Sequence, residues 1–530
     1  MDTSGVSCEG RLIDRSPVKS EASHLMSTQQ GHAYPDGRFT RRRLLVAAGA
    51  GAGTLALGGY AIGRATAQPE PADVVLRPRP GEIELGSRRV STWTYDGSLP
   101  GPEVRLRQGR PVRIRLDNAL DEPTTIHWHG IRLRNNAADG VPGLTQDAVE
   151  PGDSYLYEFT PPDAGTFFFH SHFGMQLDRG LYAHLVVEPR REELDYDREA
   201  VVLLDDWLDG VSGTPEARLA ALRREGMAMH GGMSGRPPNR PFAPLDPSNR
   251  VAAGHVAMTN AALAGQVDGG DVEYPLYLIN GRPPEAPAQI DVRRGERARL
   301  RLINSSADTI YAVFVEDHEL RVTHADGLPV RHVSTDAVLM GMGERFDVLL
   351  DARRDSARLI AVPLGKPGRA VASVRYVGER RRAPAPGARM RIPRRLLTHA
   401  DLVGPEDDEP SSSGEVRTVP LDLTMGMGAY QWTIGSRPFA QAEMLDLSRD
   451  ERVRFVMRNR TMMPHPMHLH GHSFRAAPGR GVRPLKDTVL VAPMEQLSIE
   501  WIADNPGAWA LHCHNAYHQE AGMMRHLNVS

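Results

Sequence analysis

The stretch Val112-Arg113-Ile114-Arg115-Leu116-Asp117-Asn118 alternates apolar and polar residues and ends in Asn. That period of two is the signature of a strand with one buried face. A Pro-containing turn precedes it at Pro100-Gly101-Pro102. The same layout returns at Gly281-Arg282-Pro283 with Ala298-Arg299-Leu300-Arg301-Leu302-Ile303-Asn304. It returns again at Gly435-Ser436-Arg437-Pro438 with Val453-Arg454-Phe455-Val456-Met457-Arg458-Asn459. The terminal Asn residues lie 186 and 155 residues apart, too far for a solenoid and right for repeated domains.

The chain has 530 residues, and Gly and Pro together make up about 17% of it, which favours turns and short strands over helices. The reading is all-β, three related β-sandwich domains near 72–192, 197–378 and 415–530. A leader covers 1–67 and a second linker 379–414, rich first in Arg, Pro and Ala and then in acidic residues and Ser. One helix is expected at Thr214–Glu225, with Thr214 as N-cap and Pro215 in the first turn. A formal charge of −3 gives no basic field for nucleic acid, and 24% charged residues exclude a multi-span membrane protein. Lysine occurs only at positions 19, 366 and 486; the sequence gives no functional reason for this.

Nine and eleven residues past each Asn, the first repeat carries His127 and His129, the third carries His468 and His470, and the second carries Val313 and Val315. Five residues past a Gly, two further pairs appear: His170-Ser171-His172 after Gly165, and His512-Cys513-His514 after Gly507. Residues two apart on a strand share a face, about 6–7 Å apart. Each pair can therefore aim two imidazoles into one cleft, eight in all. One such pair is weak evidence, since paired histidines also cap loops or fill cores. Four pairs at repeat-consistent positions point to a metal, and imidazole suits copper, zinc, iron or nickel.

Cys513 faces the opposite side from its histidine neighbours. His465, His518 and Met523 are available to it there, and two His, a thiolate and a weak thioether make a blue-copper electron-transfer set. Sulfur ligands select copper over zinc. The matching positions in the first repeat are Thr124, Ser171, Gln176 and Leu181. None is a soft ligand, so that copy of the site is expected to be dead.

These motifs resemble those of the three-domain multicopper oxidases, in particular the bacterial copper-resistance and laccase-like members, over about residues 70–530. They are His127-Trp128-His129-Gly130, His170-Ser171-His172, His465-Pro466-Met467-His468-Leu469-His470, and His512-Cys513-His514 through Met523. The resemblance implies cupredoxin-like Greek-key β-sandwiches and four coppers per chain. It implies a type 2 copper on His127 and His468. It implies type 3 coppers on His129, His170 and His514 and on His172, His470 and His512. It implies a type 1 copper on His465, Cys513, His518 and Met523. Asp139 matches the family acid that helps deliver protons to oxygen; an ordinary loop residue capping a turn is its other reading. Some relatives carry Glu directly after the fourth-motif His; here that position is Gln519 and Glu520 follows, which leaves the second proton path open.

The implied reaction is one-electron oxidation of cuprous or ferrous ion or of small phenols, coupled to four-electron reduction of O2 to water. An exported copper-binding or storage protein without turnover is the alternative, as is a relative that has lost copper. Both leave the intact His-Cys-His bridge unexplained. A copper nitrite reductase leaves half the pairs unexplained. The methionines in Gly226-Met227-Ala228-Met229-His230-Gly231-Gly232-Met233 sit in a Gly-rich stretch without core periodicity, so Met227, Met229, His230 and Met233 are candidates for substrate copper. Met425 and Met427 flank Gly426, and Met462 and Met463 read as apolar filler. His184 and His472 read as structural or supporting.

Thr40-Arg41-Arg42-Arg43-Leu44-Leu45 opens a Gly/Ala/Leu-rich run that ends in the small-x-small pattern Ala65-Thr66-Ala67. This is the layout of a twin-arginine export signal. The run from Leu44 to Ile62 is barely long enough to span a membrane, and its glycines make it weakly apolar. Met26 is a possible alternative start. The expected location is the periplasm, cell envelope or exterior, with no membrane span after cleavage. Cleavage near Ala67 leaves Cys513 as the sole cysteine, unable to form an intramolecular disulfide.

Overall fold

The computed structural model describes residues 71–226, 269–353, 356–378, 385, 393–405, 415–426, 428–477, 479 and 481–530. The leader and residues 227–233 lie outside them. No helix among the described residues is long and apolar enough to cross a membrane.

Each of the three quoted stretches is a strand: Val112–Asp117, Arg297–Asn304 and Arg452–Asn459. The first and third alternate between buried and half-buried residues along their length. The second departs from that pattern. Its Arg299 and Arg301 are both buried, because Arg299 ion-pairs with Asp347 and Arg301 with Glu199 and Asp347. A charge can occupy the inner face only with such partners.

The Asn that ends each stretch has one structural job, performed three times. The Oδ1 atoms of Asn118, Asn304 and Asn459 accept from the backbone N–H two residues on, at 3.0, 3.1 and 2.9 Å. Their Nδ2 groups donate to the carbonyls of Glu122, Thr309 and Met463. They also donate to Val149, Met340 and Ala492, more than 30 residues downstream. A buried amide thus pins the strand end to the loop leading into the next strand. The duplication is of geometry as well as sequence.

The sheets follow the repeat. In the first domain Val74–Leu76, Val112–Asp117 and Ser154–Phe159 form one sheet. Val104–Arg107, Tyr182–Glu188, Gly165–His170 and His127–His129, in that order, form a second, and Pro78–Leu85 pairs with Arg88–Tyr95 in a two-stranded third. The second domain has two six-stranded sheets. The third has a six-stranded sheet centred on Arg452–Asn459 and a five-stranded sheet containing His465–Leu469 and Gly507–Cys513. The parallel and crossover pairings within these sheets fit three cupredoxin-like Greek-key β-sandwiches. The described α-helices are Pro215–Glu225, with Thr214 accepting from the Ala217 N–H as N-cap, and Ala516–Glu520. Within 379–414, Leu396–Leu397 adds an edge strand alongside Ala337–Val338, so part of that stretch belongs to the second domain's sheet.

Strand register shows where the metal positions fall. His127 pairs with His170, and His468 with His512. In the second domain the corresponding pair is Val313 and Ala361, both fully buried in an apolar strand pair.

Candidate metal centre

The four His-x-His pairs converge between the first and third domains. Among the described residues, donor atoms close enough to hold one ion come from His127, His129 and His468; from His129, His170 and His514; and from His172, His470 and His512. His127, Asp139 and His470 form a further such group at the same place, and His465, Cys513 and His518 a separate one. The second domain contributes to none of them.

Hydrogen bonds fix which ring nitrogen each imidazole presents. The Nδ1 atoms of His127, His170, His468 and His512 donate to the carbonyls of Asp139, Ser171, Asp487 and Cys513, at 2.8–3.0 Å. His470 Nδ1 donates to Asp139 Oδ2 at 2.8 Å. These bonds turn each Nε2 inward, and His470 Nε2 lies 2.9 Å from His512 Nε2. His129 is held the other way round, its Nε2 against Thr488 Oγ1 and Asp487 and its Nδ1 free. His127 Nε2, His170 Nε2, His468 Nε2 and both nitrogens of His172 and His514 are buried without a protein partner. So many bare buried nitrogens converging on one place are costly unless a cation fills it. Burial, then mutual repulsion, pushes His129, His170, His468, His470, His512 and His514 below the ordinary imidazole range and His172 to about 3. The imidazoles therefore stay neutral, the form a metal binds.

Asp139 sits at the end of the turn Asn136–Ala138. Its Oδ1 has no hydrogen-bond partner and lies 3.4 Å from His127 Nδ1. Gly140 follows at φ +83, where a Cβ would come 1.8 Å from the Ile126 carbonyl oxygen. Only Gly lets this turn press against the strand that carries His127.

On the opposite face of Gly507–Cys513, Cys513 Sγ lies 3.8 Å from His465 Nδ1 and 3.6 Å from His518 Nδ1. Met523 is fully buried, and its carbonyl accepts from the Cys513 N–H. Thr461 Oγ1, itself bonded to the repeat residue Asn459, accepts from His465 Nε2 at 2.9 Å. His518 rides on a one-turn helix capped by Asn515, and its Nε2 donates to Asp271 at 2.9 Å. Trp432 lies across the His518 ring, with centroids 4.0 Å apart, and meets the His465 ring edge to face at 5.2 Å. The matching positions of the first domain form a hydrogen-bonded knot. Thr124 and Ser171 both donate to Gln176 Oε1, at 2.7 and 2.6 Å, and Leu181 is buried.

Glu520 joins none of these groups; burial raises its carboxyl, and its backbone carbonyl accepts from Arg223 of the Pro215–Glu225 helix. His472 donates to the His470 carbonyl and His184 pairs with Glu103. Met463 is core filler as expected, whereas Met462 is 59% exposed and fills nothing. Met425 is half-buried against the core. The sequence reading missed Asp271, Asp487, Thr488 and Arg345. Asp487 had one faint signal, its position beside one of the three lysines.

A three-cupredoxin fold with paired histidines across two domains and a His-Cys-His strand defines a copper oxidoreductase architecture. Models of the multicopper oxidase family match residues 80–192, 198–377 and 416–530. The chain is 36% identical to the multicopper oxidase MmcO of Mycobacterium tuberculosis, over 94% of this chain and 98% of that one. It is 29% identical to copper resistance protein A of Pseudomonas syringae pv. tomato, over 92% and 99%. Among solved structures, a multicopper oxidase from Pseudomonas thermotolerans aligns at TM-score 0.63 and 26% identity, covering 87% of this chain and all of that one. The iron-import oxidase Fet3p aligns at TM-score 0.71 over 86% and 90%; at 19% identity it shows the fold alone. The chain belongs to the multicopper oxidase family of copper-binding, O2-using oxidoreductases.

Proposed function

We propose that this protein binds four coppers and oxidises cuprous ion, with ferrous ion and small phenols as further donors, while reducing O2 to water. The observation that carries the reading is the single strand Gly507–Cys513, extended by His514. It offers Cys513 to one donor group and His512 and His514 to two others. His127 and His468 would hold the type 2 copper. His129, His170 and His514, and separately His172, His470 and His512, would hold the type 3 pair. His465, Cys513, His518 and Met523 would hold type 1. The bare buried nitrogens support the fit. Copper bound there supplies one-electron steps that accumulate to the four O2 needs.

The chain's own residues supply the rest. Cys513 would be the thiolate ligand of the type 1 copper and the start of two covalent paths to His512 and His514, along which that copper's electrons could reach the cluster. Asp139 orients His127 through its carbonyl and His470 through one carboxylate oxygen. Its other oxygen is then available to hand protons to the cluster. Glu520, behind Gln519, is the remaining candidate for a second proton path. The location of the Pro215–Glu225 helix supports substrate copper at Met227, Met229, His230 and Met233, which lie outside the described residues. Arg223 bonds to the end of the His518 helix, and Gly226, where the segment departs, lies beside Gly428.

Domain boundaries at 72–192, 197–378 and 415–530 belong to the same reading. So does export through the twin-arginine route to the periplasm or cell envelope, with cleavage near Ala67. The names of the copper-resistance relatives support copper homeostasis as the setting. Copper analysis with O2 uptake on cuprous ion, ferrous ion and a phenol tests the proposal. Four coppers and uptake fastest with cuprous ion are expected, whereas bound copper without uptake would establish the storage alternative. Replacing Arg41 and Arg42 by Lys should leave the protein in the cytoplasm, and normal export would refute the twin-arginine route.

A further inference from the structure

Among the described residues the second domain contributes no side chain to a candidate copper group, yet it reaches the edge of the histidine cluster at Gly343. Gly343 adopts φ +85, and a Cβ there would come 2.9 Å from His129 and 3.0 Å from His514. Two residues on, Arg345 is fully buried. Its Nη1 and Nη2 donate to the two oxygens of Asp487 at 2.7 and 2.6 Å, a bidentate fork. Its Nε donates to the Thr166 carbonyl and its Nη1 to the Gly343 carbonyl. One guanidinium thus ties all three domains together.

Asp487 passes that constraint on. Its Oδ1 accepts from Thr488 Oγ1 at 2.8 Å and lies 3.3 Å from His129 Nε2. The Thr488 hydroxyl, its proton committed to Asp487, is left as an acceptor for His129 Nε2 at 3.2 Å and His468 Nδ1 at 3.1 Å. Asp326, also from the second domain, accepts from the backbone N–H groups of Asp487 and Thr488 and so holds the turn. His129 presents Nδ1 to the cluster, the reverse of the five neighbours held through Nδ1. Asp487 and Thr488 are the acceptors on its other nitrogen.

We infer that Arg345 and Asp487, through the Thr488 hydroxyl, are positioning residues that fix the tautomer and orientation of His129 and His468 at the cluster. The second domain is thereby part of the oxygen-reducing machinery. The inference rests on the copper assignment proposed above. A carboxylate or hydroxyl on the far nitrogen of a ligand imidazole sets ring orientation and ligand basicity, and its loss costs about 10–100-fold in metal affinity or activity.

The test uses the copper-loaded enzyme and three readouts: the type 2 electron paramagnetic resonance signal, the blue absorption of the Cys513 site, and copper retained against a chelator. In Asp487→Asn and Thr488→Val the type 2 hyperfine pattern should change. Cluster copper should be held about tenfold or more less tightly, with the blue band unchanged. Thr488→Ser restores the hydroxyl and should restore the wild-type signal. Arg345→Lys keeps the charge without the fork and should fall between wild type and Arg345→Met. Unchanged signal and retention in both Asp487→Asn and Thr488→Val overturn the inference. Should Arg345→Met or Asp487→Asn fail to fold, the Thr488 pair decides: Val altered with Ser normal supports it, and both alike overturn it. A wild-type protein without a type 2 signal would instead overturn the copper assignment itself.

Discussion

At Cys513 strand geometry separates two chemistries that sequence places side by side. The thiol faces His465 and His518, while its neighbours face the cluster. Cys513→Ser should remove the blue band and all turnover, because a hydroxyl gives neither the covalent thiolate nor its electron path. About three coppers should remain, since alternation leaves His512 and His514 where they were. The first domain already carries Ser171 at the matching place, satisfied by Gln176. Absorption, copper analysis and O2 uptake check this together, and substantial turnover with every donor would refute the electron path. Asp139→Asn makes a different cut. The amide still reaches His470 but cannot donate a proton in the same way, so turnover should fall roughly 100-fold or more. Copper content and the blue band should hold, and loss of copper in parallel would reassign Asp139 to an orienting role alone. Met227, Met229 and Met233 changed together to Ser should weaken cuprous oxidation and spare phenol oxidation. Equal loss on both donors would mean that the segment packs rather than binds.

The elements legible in the sequence were those whose job is local. Alternation marked the repeated strands, the Asn marked their ends, and counting from it reached His127, His129, His468 and His470. The register of the second domain, Val313 against Ala361, follows the same count. What stayed illegible joins elements that are distant in the chain. Arg345 and Asp487 are 142 residues apart and Asp271 and His518 are 247 apart, with no spacing rule linking them. Lysine scarcity had no reading in the sequence. In the fold Lys366 is buried against Asp308, and Lys486 against Asp326 and Glu344. A compact ammonium there can be surrounded by oxygens. The repeated Asn offers an element-level test away from the proposed chemistry. Asn304→Ala strips three hydrogen bonds from buried backbone groups and should cost on the order of 3 kcal/mol. Denaturant unfolding should show that loss with the blue band unchanged at neutral pH. A change below about 0.5 kcal/mol would mean that the strand end holds without its pin.

For the whole molecule, the junction of the first two domains should set part of the response to acid. Asp347 is buried among Arg299, Arg301 and Thr166, with Thr166 Oγ1 donating at 2.6 Å and Arg301 bridging to the same hydroxyl. Burial alone would raise its carboxyl, but the two guanidinium groups outweigh it and bring it down to about 2. In the unfolded chain an Asp titrates near 3.9, about two units higher. The native state therefore holds fewer protons than the unfolded state between those values. Stability from this group is fully present above about pH 4 and is lost as pH falls through about 2, in total about 2–3 kcal/mol. Asp347→Asn removes the titration and leaves two buried guanidinium groups short of their shared anion. Unfolding measured from pH 7 down to pH 2 should show a less stable variant at neutral pH, by about 3 kcal/mol or more. Its stability should then fall less steeply below pH 4 than that of the parent. Parallel curves for the two proteins would mean that Asp347 does not carry the acid response and that other carboxylates set it.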